Sequence, residues 1–443
     1  MAELGSRRNL PSRMVRALGT HSAAFLSIGV RGLTVLAGFA IAFLIGNRLG
    51  AEALGTYALV TQTAMFLSIV AVGGLDLSIV KYFPVLAGKP PYRTKIVGTL
   101  FFACSAICLL VAGLLLLFGD LYFAQFPEVR ADSLLISILA VIFVSRTFTR
   151  TTSAFLRSQR SYVFSQVVEG LLIPIPVLAL ILLGFTERVV EILLATAGFG
   201  ALAIAFGISS SLLKTTKSKN GLSAPMRGLF ITALPLWAVA IIKNFGDWYA
   251  LTIVGAELSV ADAGLFRIAV QIAFSLAIIT VGIFGVFSPQ IGTAVAQKDP
   301  VLAARLARTA TLLSVALALP AIAILGGGSG LILRFVGAEF SDAQVPLLIL
   351  LAGQFVYMVS GPSGIVLALM GKQSLNLYIA IAALLALTVS IPIAARSDGL
   401  FGVACALAAV TAAQNVATYL AVRITLRIDI WSGRYLGPRD RGL

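Results

Sequence analysis

The chain has 443 residues, of which 59% are hydrophobic and only 12% charged, with a mean hydropathy of +1.00, whereas an ordinary soluble domain is about 25% charged. That composition excludes a water-soluble fold. The formal net charge of +15 would point to nucleic acid in a soluble protein, but in a membrane chain it is first a topological signal.

At about 20 apolar residues per span, the apolar runs predict twelve membrane helices, at 22–46, 55–80, 96–118, 133–156, 162–184, 191–213, 228–253, 264–287, 304–326, 344–369, 374–395 and 399–422. The first run follows Arg7, Arg8, Arg13 and Arg16 like the start of a signal peptide. It is too long for such a segment and no small-residue cleavage site follows, so it reads as an uncleaved first helix.

Charge tests the count, because Lys and Arg favour the cytoplasmic side of short loops. With the N-terminus inside, 25 of the 33 basic residues fall on the inner side, five fall outside, and Arg31, Lys243 and Arg267 lie within spans. Eleven of the 18 acids fall outside. Both termini are therefore expected in the cytoplasm. The expected organisation is a cytoplasmic segment 1–21, a six-helix bundle 22–213, a cytoplasmic linker 214–227, a second six-helix bundle 228–422 and a basic tail 423–443.

A weak internal repeat relates the halves. Gly50-Ala51-Glu52, then Gly55-Thr56-Tyr57, Gln62 and Gly73, is echoed by Gly255-Ala256-Glu257, then Gly264-Leu265-Phe266, Gln271 and Gly282. The copies link spans 1 to 2 and 7 to 8. The fold class that follows is an all-α integral membrane protein whose two six-helix bundles are related by a pseudo-two-fold axis along the membrane normal.

Ionisable groups inside spans are costly and mark function by default. Arg31 lies in span 1, Glu169 in span 5, Lys243 and Asp247 in span 7, and Arg267 near the start of span 8. Lys243 and Asp247, at i and i+4, either neutralise each other on one helix face or line a wetted cavity. Glu169 and Arg31 read either as a buried inter-helix pair or as groups reaching the interface. The five charges sum to +1, which favours an anionic substrate.

Arg146, Arg150 and Arg157 share a face of span 4 at its inner end, with Arg160 slightly off it. The stripe serves either as a receptor for phosphate or diphosphate, whose oxygens match guanidinium forks, or as an anchor on anionic headgroups. Pro174, Pro176, Pro235, Pro320, Pro362 and Pro392 interrupt spans and offer hinges. Cys104, Cys108 and Cys405 lie in apolar runs and His21 is the single histidine, so neither a disulfide framework nor a histidine metal site is expected. No cofactor is expected either.

Two stretches carry a resemblance. Gly46-Asn47-Arg48-Leu49-Gly50-Ala51-Glu52-Ala53-Leu54-Gly55-Thr56-Tyr57 follows span 1; Asp247-Trp248-Tyr249 through Gly255, Gly264-Leu265-Phe266 and Ser288-Pro289 cover spans 7 and 8. With Gly399-Leu400-Phe401-Gly402 near the end, the chain resembles the polysaccharide transporter (O-antigen flippase) family of the multidrug, oligosaccharidyl-lipid and polysaccharide exporter superfamily. Phe266 stands where that family commonly has tyrosine.

The resemblance implies a V-shaped pair of bundles in the bacterial inner membrane that turns undecaprenyl-diphosphate-linked oligosaccharide outward by alternating access, for cell-surface polysaccharide. On that expectation the diphosphate meets Arg146, Arg150 and Arg157, the sugar lies near Arg31, Lys243 and Arg267, and Glu169 and Asp247 are the candidates to couple H⁺ or Na⁺. Expected partners are the lipid-linked oligosaccharide, membrane lipids and the polysaccharide polymerase and chain-length machinery, and not nucleic acid. The alternative is a multidrug, cation-coupled exporter of the same superfamily. A major-facilitator symporter is disfavoured because the connection from Lys81 to Lys95 lacks that class's signature, and a glycosyltransferase because the outer loops are short.

Overall fold

A hydrocarbon solvent leaves backbone N–H and C=O groups no partner outside their own segment, so an apolar chain of this composition folds as helices. The computed structural model describes residues 10–82, 90–129, 132–159, 161–212 and 226–437, and within them excludes the side chains at 10–25, 27–28, 81–82, 90–100, 208, 210–212 and 226–232. Arg7, Arg8, Lys89, Arg130, Arg160, Lys214, Lys217, Lys219, Arg439 and Arg441, with most of the linker, lie outside the described residues.

Among the described residues, twelve helices, several joined across kinks, lie along the twelve expected spans. α1 (10–49) and α2 (51–72) run on through Gly50, whose φ of 88° breaks the helix without ending the chain's course. Only glycine takes that backbone region without strain. Beyond the Gly73-Gly74 turn, α2 resumes as Leu75–Tyr82. Then come α3 (Pro90–Phe123), α4 (Ser133–Ser158), α5 (Tyr162–Leu171 and Pro174–Leu182, bent by 44°) and α6 (Val189–Leu212). The second half holds α7 (Met226–Glu257), α8 (Val260–Ala296), α9 (Pro300–Gly327) and α10 (Gln344–Val359, continued by Ser363–Leu369). α11 (373–398) and α12 (400–421) join at Gly399.

The prolines divide in effect. Pro174 follows a π-helical turn, Val167–Leu171, and starts the second piece of α5, so that helix is broken. Pro362 sits in the interruption of α10, while Pro235, Pro320 and Pro392 lie inside continuous helices. A helix loses one backbone bond at such a proline, and neighbouring helices hold it in line.

Most of α4 is buried, from Leu135 to Ser158, which makes it the centre of the first lobe. α3 is its counterpart at the lipid, with Phe102, Leu109 and Leu117 each more than 70% exposed. Acids gather at one end of the molecule (Glu52, Glu128, Glu257, Glu339) and bases at the other (Arg150, Arg157, Lys298, Arg308, Lys372); these are called the acidic and basic ends below.

The repeat explains how the lobes meet. A Cβ placed at Gly55 of α2 would lie 1.8 Å from the carbonyl oxygen of Val260, and one at Gly264 of α8 would lie 2.0 Å from that of Ala51. The two glycines that occupy equivalent positions in the repeat thus let the α2 and α8 backbones touch near the acidic end.

One element has no counterpart in the all-helical expectation. After a π turn at Val422–Leu426, β1 (Ile428–Asp429) pairs antiparallel with β2 (Arg434–Tyr435). Asp429 accepts hydrogen bonds from the backbone N–H of Trp431 (2.9 Å) and Ser432 (3.3 Å), which shapes the turn. Ile428 and Ile430 are buried with Ile291, Ala304 and Val366, tying together α8, α9 and α10 at the basic end.

Candidate functional site

Between the lobes run two lateral seams, and they are closed unequally. Along α2 and α7, Trp248 donates from Nε1 to Thr63 Oγ1 (3.0 Å), and Trp237 donates to the Val70 carbonyl (3.2 Å). Phe66 stacks on Trp248 with ring centres 4.5 Å apart, and Gly74 lets the backbone of α7 approach at Ala233 and Trp237. Along α1 and α8 the contact is slighter: a Cβ built at Gly38 would come no nearer than 4.0 Å to the Gln271 amide, and Leu26, Leu33 and Leu36 of α1 are exposed.

Inside the α2–α7 seam a cavity of about 60 Å³ is lined by Gln62, Met65, Phe66, Ile69, Asn244, Asp247 and Trp248, which is room for a few waters. Asp247 and Lys243 keep open surface midway along α7. They are not in contact within 4.0 Å among the described residues. The i, i+4 spacing gave these two residues a common face but not an ion pair.

Tyr57 joins the lobes' charges. Its half-buried side chain lies near Thr196 of α6, Arg146 of α4 and Arg267 of α8. Arg146 also interacts with Glu169. The α4 arginines thus turn toward different partners. Arg150 donates from Nε to Asp76 Oδ2 at 2.7 Å, with Asp76 only 3% exposed. Arg157 lies 3.3 Å from Glu169, which also accepts from Ser153 Oγ at 2.5 Å. Glu169 sits in the π-helical turn of α5, a local widening that often accompanies functional residues.

Arg31 is exposed and has no ion pair among the described residues. It lies one turn before Thr34, the residue that packs on Gly170 next to Glu169. The structure therefore brings Arg146, Glu169 and Arg157 together through α4 and α5, and Arg267, Asp247 and Lys243 through α7 and α8, with Tyr57 between the groups. Among the described residues no three His, Cys, Asp or Glu side chains cluster as a metal site.

Sequence reading missed Tyr57 and Asp76 as members of the site. Tyr57 was visible only as a repeat position whose partner is Phe266, and Phe266 is fully buried. Asp76 stands 74 residues from Arg150, and no local pattern announces so distant a pair.

Outside the spans, Glu257 at the end of α7 receives both Nε (2.8 Å) and Nη2 (2.6 Å) of Arg396. The guanidinium holds the Glu257 carboxyl below the usual glutamate range. The pair fastens α7 to α11 within the second lobe.

Two six-helix lobes meeting at α2 and α8, with charges between them, are an arrangement also found in solved structures of membrane transporters. No protein-family model and no curated protein matches the chain. Among solved structures, the inward-facing conformation of a multidrug resistance MATE family transporter of the MOP superfamily is similar with a TM-score of 0.72 at 14% identity, over 89% of this chain and 94% of that one. The lipid II flippase MurJ in an inward closed conformation gives 0.73 at 13% identity, over 91% of this chain and 87% of that one. An outward-facing MATE family transporter gives only 0.59 at 14% identity, over 93% and 96%. At the same 14% identity the TM-score is thus higher against the inward-facing structure than against the outward-facing one.

Proposed function

We propose that the chain is a flippase that carries an undecaprenyl-diphosphate-linked oligosaccharide across the bacterial inner membrane by alternating access, with both termini in the cytoplasm. The observation that carries this reading is the charge of the inter-lobe helices: six cations (Arg31, Arg146, Arg150, Arg157, Lys243, Arg267) against three carboxylates (Asp76, Glu169, Asp247). Unpaired cations are costly between membrane helices, and a diphosphate relieves that cost.

Arg150 and Arg157 already have carboxylate partners, so the diphosphate falls to Arg31, Lys243, Arg146 and Arg267. The polyprenyl tail leaves sideways through the loosely packed α1–α8 seam, where apolar side chains are exposed, while the Trp237 and Trp248 contacts keep the opposite seam shut. Glu169 and Asp247 are the groups assigned to H⁺ or Na⁺ coupling, because each faces arginine across helices and loses that attraction when neutralised. The cell-surface polysaccharide, O-antigen or otherwise, is set by the enzymes that supply the lipid-linked glycan, and the polymerase would take the product on the far side.

A second reading, a cation-coupled multidrug exporter, is favoured by the open carboxylate of Asp247 in the α2–α7 cavity. Purified protein in vesicles separates the two. Translocation of a polyprenyl-diphosphate oligosaccharide is expected, and it should be lost in Arg31→Gln and Lys243→Gln while folded protein is retained. Transport of a cationic dye without glycolipid translocation would favour the exporter. In the same vesicles an imposed H⁺ or Na⁺ gradient should speed the wild type but not Glu169→Gln or Asp247→Asn.

A further inference from the structure

Each lobe holds the first amide of a helix of the other, α2 or α8. The first N–H groups of a helix have no partner within it. Glu339, between α9 and α10 in the second lobe, accepts from the Ala51 N–H at the start of α2 at 2.8 Å. Glu128, between α3 and α4 in the first lobe, accepts from the Val260 N–H at the start of α8 at 2.7 Å. α2 and α8 are the helices related by the repeat, and the two connections occupy equivalent places in their lobes.

An aromatic plug sits beside each carboxylate. Phe126, two residues before Glu128, is fully buried and lies where a Cβ at Gly255 on α7 would come within 3.1 Å of its ring. Phe340, next to Glu339, is fully buried against Gly46 at the end of α1, where a Cβ would come within 2.9 Å of it. Both contacts cross between lobes, and both lie at the acidic end, beside the Gly55–Gly264 crossing.

We propose that Glu128 with Phe126, and Glu339 with Phe340, form a two-fold latch that holds the acidic end shut, so that both must let go before the carrier opens there. A latch shared by the two lobes sets the arrangement shut at the acidic end as the resting one. Neither carboxylate touches the cleft charges, so the two residues act by positioning the lobes rather than by meeting cargo. The inference rests on reading the fold as an alternating-access carrier, and not on which cargo it takes.

The test is a distance measurement on purified protein without cargo. Spin labels at Glu187→Cys (α5–α6 connection) and Ser397→Cys (last turn of α11), both exposed at the acidic end, are placed in a background with Cys104, Cys108 and Cys405 replaced. Loss of a helix-capping acceptor shifts an equilibrium about fivefold, so Glu128→Ala or Glu339→Ala should each raise the long-distance population by about that factor, and the double variant by about 25-fold. Glu128→Gln and Glu339→Gln keep an acceptor oxygen and should shift it less; they also serve if the double variant does not fold. A lowered unfolding temperature with an unchanged distance distribution in the alanine or glutamine variants would make the contacts merely structural and overturn the latch. A failed translocation assay would not touch this result.

Discussion

The Asp76–Arg150 pair decides whether the α4 arginines serve the fold or the cargo. Asp76 is 3% and Arg150 21% exposed, at 2.7 Å. Removing one partner of a buried pair costs about 3–5 kcal/mol because the remaining charge is stranded. Arg150→Gln strands the more buried member and should cost about 3 kcal/mol. Asp76→Asn keeps an oxygen for the guanidinium, and Arg150 reaches the rim, so about 2 kcal/mol is expected. If the two act as a unit, the double variant should cost about 2–3 kcal/mol, which leaves a coupling of about 2 kcal/mol. Equilibrium unfolding in mixed micelles measures all three variants. Additive losses, or an Arg150→Gln protein that is fully stable but fails to bind the diphosphate, would refute the structural assignment and return Arg150 to the substrate.

Three further results follow from the same geometry. A methyl at Gly55 would sit 1.8 Å from a carbonyl oxygen where ordinary contact begins at 3.4 Å, so Gly55→Ala should push α2 and α8 apart by about 1.5 Å. Gly264→Ala should do the same, seen as lower stability or a wider acidic end, whereas Gly198→Ala, with nothing within 4 Å, should be silent; equal behaviour of all three would discredit the crossing. Glu257 binds its proton more weakly folded than unfolded because of Arg396. Its stabilising effect is therefore full at neutral pH and is lost as pH falls through and below the ordinary glutamate value of 4.5. The melting-temperature gap between wild type and Arg396→Gln should close over that range, and a gap that persists at lower pH would rule the ion pair out as its source.

How much of this was legible in the sequence differs by kind of signal. Apolar runs marked the spans, and loop charge tested their count, because each short connection is read by the membrane on its own. The breaks at Gly50 and Pro174 were equally local. The repeat went further: Gly55 and Gly264 were marked as equivalent, and equivalence about an axis between the lobes is what sets the two against each other. The hairpin at Ile428–Tyr435 was hidden in a short basic tail, where Gly433 marks its turn. The caps by Glu128 and Glu339 were beyond reading, since each lies in a loop of the opposite lobe, 132 and 288 residues from the amide it holds.

The site breaks the symmetry that the scaffold keeps, and this is where single-sequence reasoning loses hold. Contacts that close the acidic end come in pairs: glycine with glycine, glutamate with glutamate, phenylalanine with phenylalanine. The charges come singly. Tyr57 lies near Arg146 and Arg267, while its repeat partner Phe266 is a buried apolar ring. Gln62 lines the α2–α7 cavity, while Gln271 faces Gly38 across the looser seam. A symmetric frame lets two equal lobes rock about one axis. A cargo with a charged head and an apolar tail is not symmetric, and a carrier for it needs one seam sealed and the other open. On the proposed function the unequal seams follow from the same requirement as the unequal charges, and exchanging them, by loosening Trp237 and Trp248, would leave the frame intact and the path for the tail misplaced.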